Sequence, residues 1–196
     1  AGVLRLDSAN AVPGGIGSSG GTSAILFTGG ILGLGAGDFS RSLNTTATVT
    51  AANFGSGGGG WAAYGANRTV NLGGANATIT WATANTGFNG QTLFLGAATS
   101  NATVTLTNPI DLTTATRTVN VSDGTATVDA VMSGNISGGA AGVFTKDGAG
   151  TLALSGTNSY SGNTSLLATG TTGRLIFRGS QSLSPNTTLL FAQNSS

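Results

Sequence analysis

The chain of 196 residues contains no cysteine, no histidine and no glutamate, one lysine and three prolines. Each absence removes a class of chemistry. Without cysteine there is no disulfide framework, and the redox compartment is not legible. Without cysteine or histidine a zinc site lacks its usual donors. Without histidine neither a Ser-His-Asp nor a Cys-His relay can be assembled. Charged residues make up 7% of the chain and the formal net charge is +1, so there is no basic footprint for nucleic acid. No apolar run approaches the roughly 20 residues of a membrane-spanning helix. The chain opens at Ala1 without a charged segment leading into an apolar stretch. The expectation is a processed or internal segment of a longer repeat array, or a filament subunit.

What is present is glycine (34 residues), threonine (31) and serine (20), with a mean hydropathy of +0.20. Disordered chains are typically charged and poor in branched aliphatics, and this one is neither. Gly, Thr, Asn and Ser are weak helix formers, whereas Thr and Val at alternate positions suit a pleated strand. The length suits one core, and hence a single module spanning 1–196.

Short strand-like segments recur. Ala77-Thr78-Ile79-Thr80-Trp81 is followed 25 residues on by Ala102-Thr103-Val104-Thr105-Leu106 and a further 24 on by Ala126-Thr127-Val128-Asp129-Ala130. Gly150-Thr151-Leu152-Ala153-Leu154 and Arg174-Leu175-Ile176-Phe177 continue at the same step. A second series contains Arg68-Thr69-Val70-Asn71-Leu72, Gln91-Thr92-Leu93-Phe94-Leu95 and Arg117-Thr118-Val119-Asn120-Val121. Each copy alternates apolar and polar residues, as a strand with one buried face does. The spacing predicts one column of Ile79, Val104, Val128 and Leu152 and another of Trp81, Leu106, Ala130 and Leu154, with Asp129 facing solvent. Asn89-Gly90, Asp123-Gly124, Asp147-Gly148 and Asn108-Pro109 mark turns. An antiparallel sandwich also uses short strands, but it does not require like strands to recur at one step. The reading is therefore all-β: a parallel β-helix, or β-solenoid, of about eight coils of ~24 residues. The general preference for right-handed crossovers favours a right-handed coil. A Gly-rich loop insertion near 55–60 absorbs one long interval. On a larger scale Gly2-Val3-Leu4-Arg5-Leu6 resembles Gly173-Arg174-Leu175-Ile176-Phe177.

Val143-Phe144-Thr145-Lys146-Asp147-Gly148-Ala149-Gly150-Thr151-Leu152-Ala153-Leu154-Ser155-Gly156-Thr157-Asn158-Ser159-Tyr160-Ser161-Gly162 resembles the autotransporter-associated β-strand repeat of large bacterial surface and passenger proteins. Asp147 and Asn163 stand where that repeat usually carries Thr and Gly. The resemblance implies a secreted, cell-surface passenger region with a parallel β-helix fold, serving as a stalk, adhesin or fibre.

Chemistry-bearing residues are few. Asp7, Asp38, Asp111, Asp123, Asp129 and Asp147 are the only side-chain carboxylates. Asp123 and Asp129, with Arg117 nearby in sequence, form the best candidate pair. Six extended residues span about 20 Å, against roughly 5–10 Å between glycosidase carboxyls. The expectation is no catalytic residue, no metal, no cofactor and no enzyme. Gly33-Leu34-Gly35-Ala36-Gly37-Asp38-Phe39 faintly resembles a calcium-binding nonapeptide, but a single copy cannot surround an ion. Nine Asn-x-Ser/Thr sequons, at Asn44, Asn67, Asn76, Asn101, Asn120, Asn135, Asn163, Asn186 and Asn194, follow from alternating Asn and Thr, and stacked Asn could form ladders along the rod. Trp61 and Tyr64, just after the glycine run, leave two readings open: exposed rings that stack on sugars, or caps over the core.

The expected function is a non-enzymatic structural rod of a bacterial extracellular stalk, fibre or surface layer. Neither terminal stretch carries the charge or proline that blunts an edge strand, so end-to-end self-association is expected. The alternative is an adhesin module binding glycans or matrix through Thr/Asn faces with Trp61 and Tyr64. With six carboxylates and no histidine, few protons change hands on unfolding. The melting temperature is therefore expected to stay nearly flat between about pH 4 and 9, as calorimetry across that range would read.

Overall fold

A computed structural model describes residues 1–17, 23–43, 51–82, 87–138, 142–168, 173–185 and 187–193. The described residues contain strands and turns and no helix. The segments rich in Thr, Val and Leu form short strands, and every pairing between these strands is parallel. The chain is a β-solenoid.

Its longest sheet has eight strands, stacked in chain order: Val3–Leu6, Gly30–Leu34, Gly59–Ala63, Leu93–Leu95, Arg117–Val121, Phe144–Asp147, Thr164–Ala168 and Leu189–Gln193. A five-stranded sheet stacks Arg68–Val70, Val104–Leu106, Ala130–Met132, Thr151–Leu154 and Arg174–Phe177. A three-stranded sheet stacks Ile79–Thr80, Ile110–Asp111 and Ile136–Ser137, and a pair joins Ile25–Phe27 to Ala52–Phe54. The windings are unequal. Paired residues are 28 apart at Val3 and Ile31, 34 at Gly59 and Leu93, and 20 at Phe144 and Thr164. The rod makes about six turns, slightly fewer than the eight coils expected.

The columns differ from the expected ones in an instructive way. Val104 and Leu152 do share a column, but Ala130 lies between them and Leu175 follows. Leu106, Met132, Leu154 and Phe177 form the next. Val128 is therefore two residues out of register. Ile79 belongs to the three-stranded sheet, stacked with Ile110 and Ile136, and Trp81 follows it there. Asp129 causes the shift at Val128. Its buried carboxylate accepts the Gly124 and Thr151 backbone N–H groups, each at 2.8 Å, which makes residues 122–129 a corner and starts the strand at Ala130. Arg68 and Arg117, alike in sequence, lie in different sheets, as do Val3–Leu6 and Arg174–Phe177. Those likenesses do not mark stacked partners.

Inside, the first windings are filled by aromatic rings. Phe27, Phe39 and Phe54 surround Trp61 with centroids 5.2, 5.3 and 5.8 Å away, and Phe54, Phe88 and Trp81 continue the cluster at 5.1 and 5.0 Å. Such tilted and edge-on pairs add to the burial of the rings themselves. Later windings are filled mainly by aliphatic side chains such as Val104, Leu106, Val119, Val121, Leu152 and Leu154, all fully buried.

The glycine run expected as a loop insertion has a different role. Ser56 and Gly57 form a turn, but Gly59 and Gly60 open a strand of the long sheet. A Cβ on Gly60 would stand 1.7 Å from the Phe94 carbonyl oxygen, and one on Gly59 2.3 Å from the Phe27 Cβ. These glycines are there for close approach, not for slack. Gly60→Val is expected to destabilise the coil by about 3 kcal/mol or more, measured by denaturant titration, because overpacking against backbone cannot relax by a rotamer change.

Candidate functional site

The carboxylates do not converge. Asp7 is exposed and paired with Arg5 at 2.6 Å. Asp38 accepts the Thr69 N–H at 2.7 Å, and Asp111 accepts the Thr113 N–H at 2.8 Å. Asp147 accepts its neighbour Gly148 N–H at 2.7 Å and the Asn120 amide at 3.2 Å. Asp123 is exposed, while Asp129, expected on a solvated face, is buried and already engaged with two backbone donors. Four of the six thus accept backbone N–H groups at turns and corners. Among the described residues no group of three Asp, Glu, His or Cys could hold a metal ion.

Trp61 and Tyr64, the candidate ligand contacts, are 0% and 5% exposed. Trp61 lies in an inward column of the long sheet between Leu32 and Leu95. Tyr64 lies over Gly33, donates to or accepts from Thr99 Oγ1 at 2.7 Å, and carries the Arg5 guanidinium 4.8 Å above its ring. Neither offers a face to a sugar. Of the two readings left open, exposed rings or caps over the core, burial fits the second: Gly59 and Gly60 lie in a strand, which turns Trp61 into the core.

Two kinds of surface remain. One is a groove of about 630 Å³ over the five-stranded sheet, lined in part by Asn67, Asn101, Thr103, Thr105, Thr127 and Arg178. Its two asparagines clamp adjacent windings reciprocally: Asn67 accepts the Thr103 N–H at 3.0 Å and Asn101 accepts the Gly65 N–H at 2.8 Å. The other is formed by apolar side chains on the two outermost described windings. At one end Val3, Leu4 and Leu26 are 39%, 67% and 61% exposed; at the other Leu189, Leu190 and Phe191 are 40%, 40% and 80% exposed.

Sequence reasoning missed the buried polar corners. Asn108 accepts the Leu72 N–H at 2.7 Å and donates to the Leu72 and Ala77 carbonyls at 3.0 Å each. Asn158 accepts the Ile136 N–H at 2.8 Å and donates to the Ser182 carbonyl. These amides bond to backbone across windings and not to one another in a ladder. Of the sequons, Asn67, Asn76, Asn101 and Asn135 are exposed and Asn120 and Asn163 half-buried, while Asn44, Asn186 and Asn194 lie outside the described residues.

Lys146 is the largest surprise. It occupies an inward column between Val119 and Leu166 and is fully buried. Its ammonium donates to the Gly148 carbonyl. The surrounding segment closes one winding on itself. Phe144 pairs with Thr164, and the Tyr160 hydroxyl meets Thr164 Oγ1 at 2.5 Å. Residues 144–171 match the passenger-associated-transport-repeat. In this chain the repeat corresponds to one turn of the coil, its first strand lying beside its last. No curated protein and no solved structure matches the chain. The repeat and the coil fit a structural module of the autotransporter-passenger type, and such a repeat implies a secreted or cell-surface protein.

Within the passenger-associated repeat, burial pushes the Lys146 amine down from its ordinary 10.5 to about 8, against the opposing pull of Asp147, Asp129 and Asp123. A lowered value means that the unfolded chain holds more protons than the folded one between those limits. Stability therefore rises as pH climbs from about 8 towards 10.5, and below about 8 the charged amine is a constant penalty. This alters the flat profile expected from composition at its alkaline end. The melting temperature of the chain is expected to rise between pH 8 and 10, and Lys146→Met to abolish that rise.

Proposed function

We propose that this chain is a non-enzymatic structural β-solenoid of an extracellular bacterial stalk, fibre or surface layer, and that its units stack end to end. The observation that carries this reading is the continuous parallel stack, in which eight strands of one sheet lie in chain order with inward columns running through them. Leu4 begins the same inward column as Leu32, Trp61, Leu95 and Val121, yet it is two-thirds exposed. At the far end Phe177 and Phe191 border an apolar hollow with Leu166, Leu175 and Leu189. Among the described residues Val3–Leu6 and Leu189–Gln193 are the outermost strands of the long sheet, and parallel edges of this kind template further pairing. The use of Asp38, Asp111, Asp129 and Asp147 to cap backbone N–H groups supports a non-enzymatic role.

A second reading, an adhesive module, is favoured by the groove at Asn67, Asn101, Thr103, Thr105 and Arg178. Its hydroxyls and amides match the hydrogen-bonding chemistry of a glycan, and it replaces Trp61 and Tyr64 as the place to look. Light scattering and electron microscopy of the purified chain are expected to give rods whose length grows with concentration. Monomers that persist at high concentration, together with saturable binding on a glycan array, would decide for the adhesive reading.

A further inference from the structure

We infer that the groove on the outer face of the five-stranded sheet takes a carboxylated oligosaccharide, with the acid group on the Arg178 guanidinium and the neutral hydroxyls along Asn67, Asn101 and Thr105. The inference rests on the adhesive reading above and names the class of glycan.

The groove has a sign. Asn67 and Asn101 each accept a backbone N–H of the neighbouring winding on the amide oxygen. That fixes the orientation of both amides. Each side chain is exposed, and its –NH2 group is left as a donor with no partner among the described residues. The Thr103 hydroxyl donates to the Val128 carbonyl at 2.7 Å, which holds the corner against the groove. Arg178 adds a guanidinium, a fork of donors with a fixed positive charge. It is exposed, and the one ion pair among the described residues joins Arg5 to Asp7. No carboxylate lines the groove. Asp129, on the adjoining corner, is buried and already holds the Gly124 and Thr151 N–H groups. The surface is thus rich in donors, carries one cation and lacks the anion that would balance it.

The floor of the groove is internal to the rod. On one side of Arg68–Val70 the Phe39 N–H donates to the Thr69 carbonyl at 2.8 Å. On the other side of the floor Ala130–Met132 pairs with Thr151–Leu154. Described segments therefore flank it both ways. Arg178 follows the strand Arg174–Phe177, and its backbone N–H donates to the Leu154 carbonyl at 2.8 Å. To line the same groove as Val131, its side chain reaches back across Thr151–Leu154 towards the earlier windings. Ala153, between Val131 and Ile176 in the outward column beneath that path, is fully buried.

The balance of charge selects the ligand. A guanidinium fork matches a carboxylate through two parallel hydrogen bonds. One arginine over a groove of about 630 Å³ sets a single charge against several uncharged donors. That suits a sugar chain with sparse acid groups, whereas a densely sulfated chain needs several cations. The rungs of Asn67 and Arg178 are four strand-to-strand steps apart in the sheet, roughly 20 Å at about 4.8 Å each. The groove is therefore long enough for an oligosaccharide and too long for a single sugar to span.

Titration calorimetry with matched probes tests the contact. The first probe is a tetrasaccharide in which a hexuronic acid alternates with an uncharged N-acetylhexosamine. The second is the same chain with each carboxylate reduced to a hydroxymethyl group. The unsubstituted protein is expected to bind the acid about fivefold to tenfold more tightly than the reduced form, and the difference is expected to shrink as salt is added. Arg178→Gln is expected to bind both forms alike with an unchanged melting temperature, since the side chain is exposed. Arg178→Lys keeps the charge and is expected to keep part of the preference, which gives a second reading should the glutamine variant be unstable. If Arg178→Gln retains the preference, or the unsubstituted chain binds both forms equally, the carboxylate contact is overturned and the adhesive reading stands. Tighter binding of a densely sulfated chain of the same length overturns the assignment to a carboxylate. If neither probe binds at millimolar concentration and a glycan array shows no other ligand, both the contact and the adhesive reading are overturned.

Discussion

The structure depends on one constraint, the parallel register between successive windings. Each strand finds its hydrogen-bonding partners in the turn above and the turn below, and each inward side chain rests on a counterpart one winding away. A residue that leaves register loses both at once. That is why Gly59 and Gly60 must be bare where the chain passes Phe27 and Phe94. It is also why a winding of 34 residues and one of 20 can follow the same track. Excess length is carried by the corners, while the rungs stay in line.

Corners are where the backbone would otherwise be left unpaired, and the polar side chains gather there. Asn108 and Asn158 bond backbone groups across adjacent windings, and Asp129 ties Gly124 to Thr151. Buried cations follow the same rule. Arg41 bonds the Gly15 carbonyl at 2.7 Å and the Pro13 carbonyl at 2.9 Å, and also reaches Ser23. Arg117 bonds the Leu112 carbonyl at 3.3 Å and Lys146 that of Gly148. Burial lowers the pKa of both arginines as it does that of the lysine. A chain with so few charges thus uses several of them as fasteners for carbonyl oxygens, which leaves little charge for the outer faces. An unpaired buried polar group costs more than a hydrogen bond contributes, so these fasteners matter mainly for what would follow from their loss.

A rod built this way has two distinct kinds of surface. Its flanks are closed by the sheets and their corner bonds, and they offer polar grooves such as the one beside Asn67 and Asn101. Among the described residues each inner rung of the long sheet is buried between two others, while the outermost described strands have one neighbour each, and Leu4, Leu26 and Phe191 are exposed there.

The strand segments, their buried faces and the turn glycines were legible in the sequence, because a period of two and the φ preferences of glycine are local properties. The winding at Phe144 to Thr164 was legible as a motif, because its pairing closes over a short stretch of chain. Which strand lies on which was not. Ala77-Thr78-Ile79-Thr80 and Ala102-Thr103-Val104-Thr105 read alike, yet Ile79 stacks on Ile110 and Val104 on Ala130. Trp61 could be read as an exposed ring or as a cap over the core, and only the strand at Gly59–Ala63 decides for the core; nothing in the local pattern marked Lys146 as buried, and it is. Alternation along a strand says which side chains share a face. Only the three-dimensional path, with corners of unequal length, decides what that face meets, since the partners come from windings some 20 to 34 residues away.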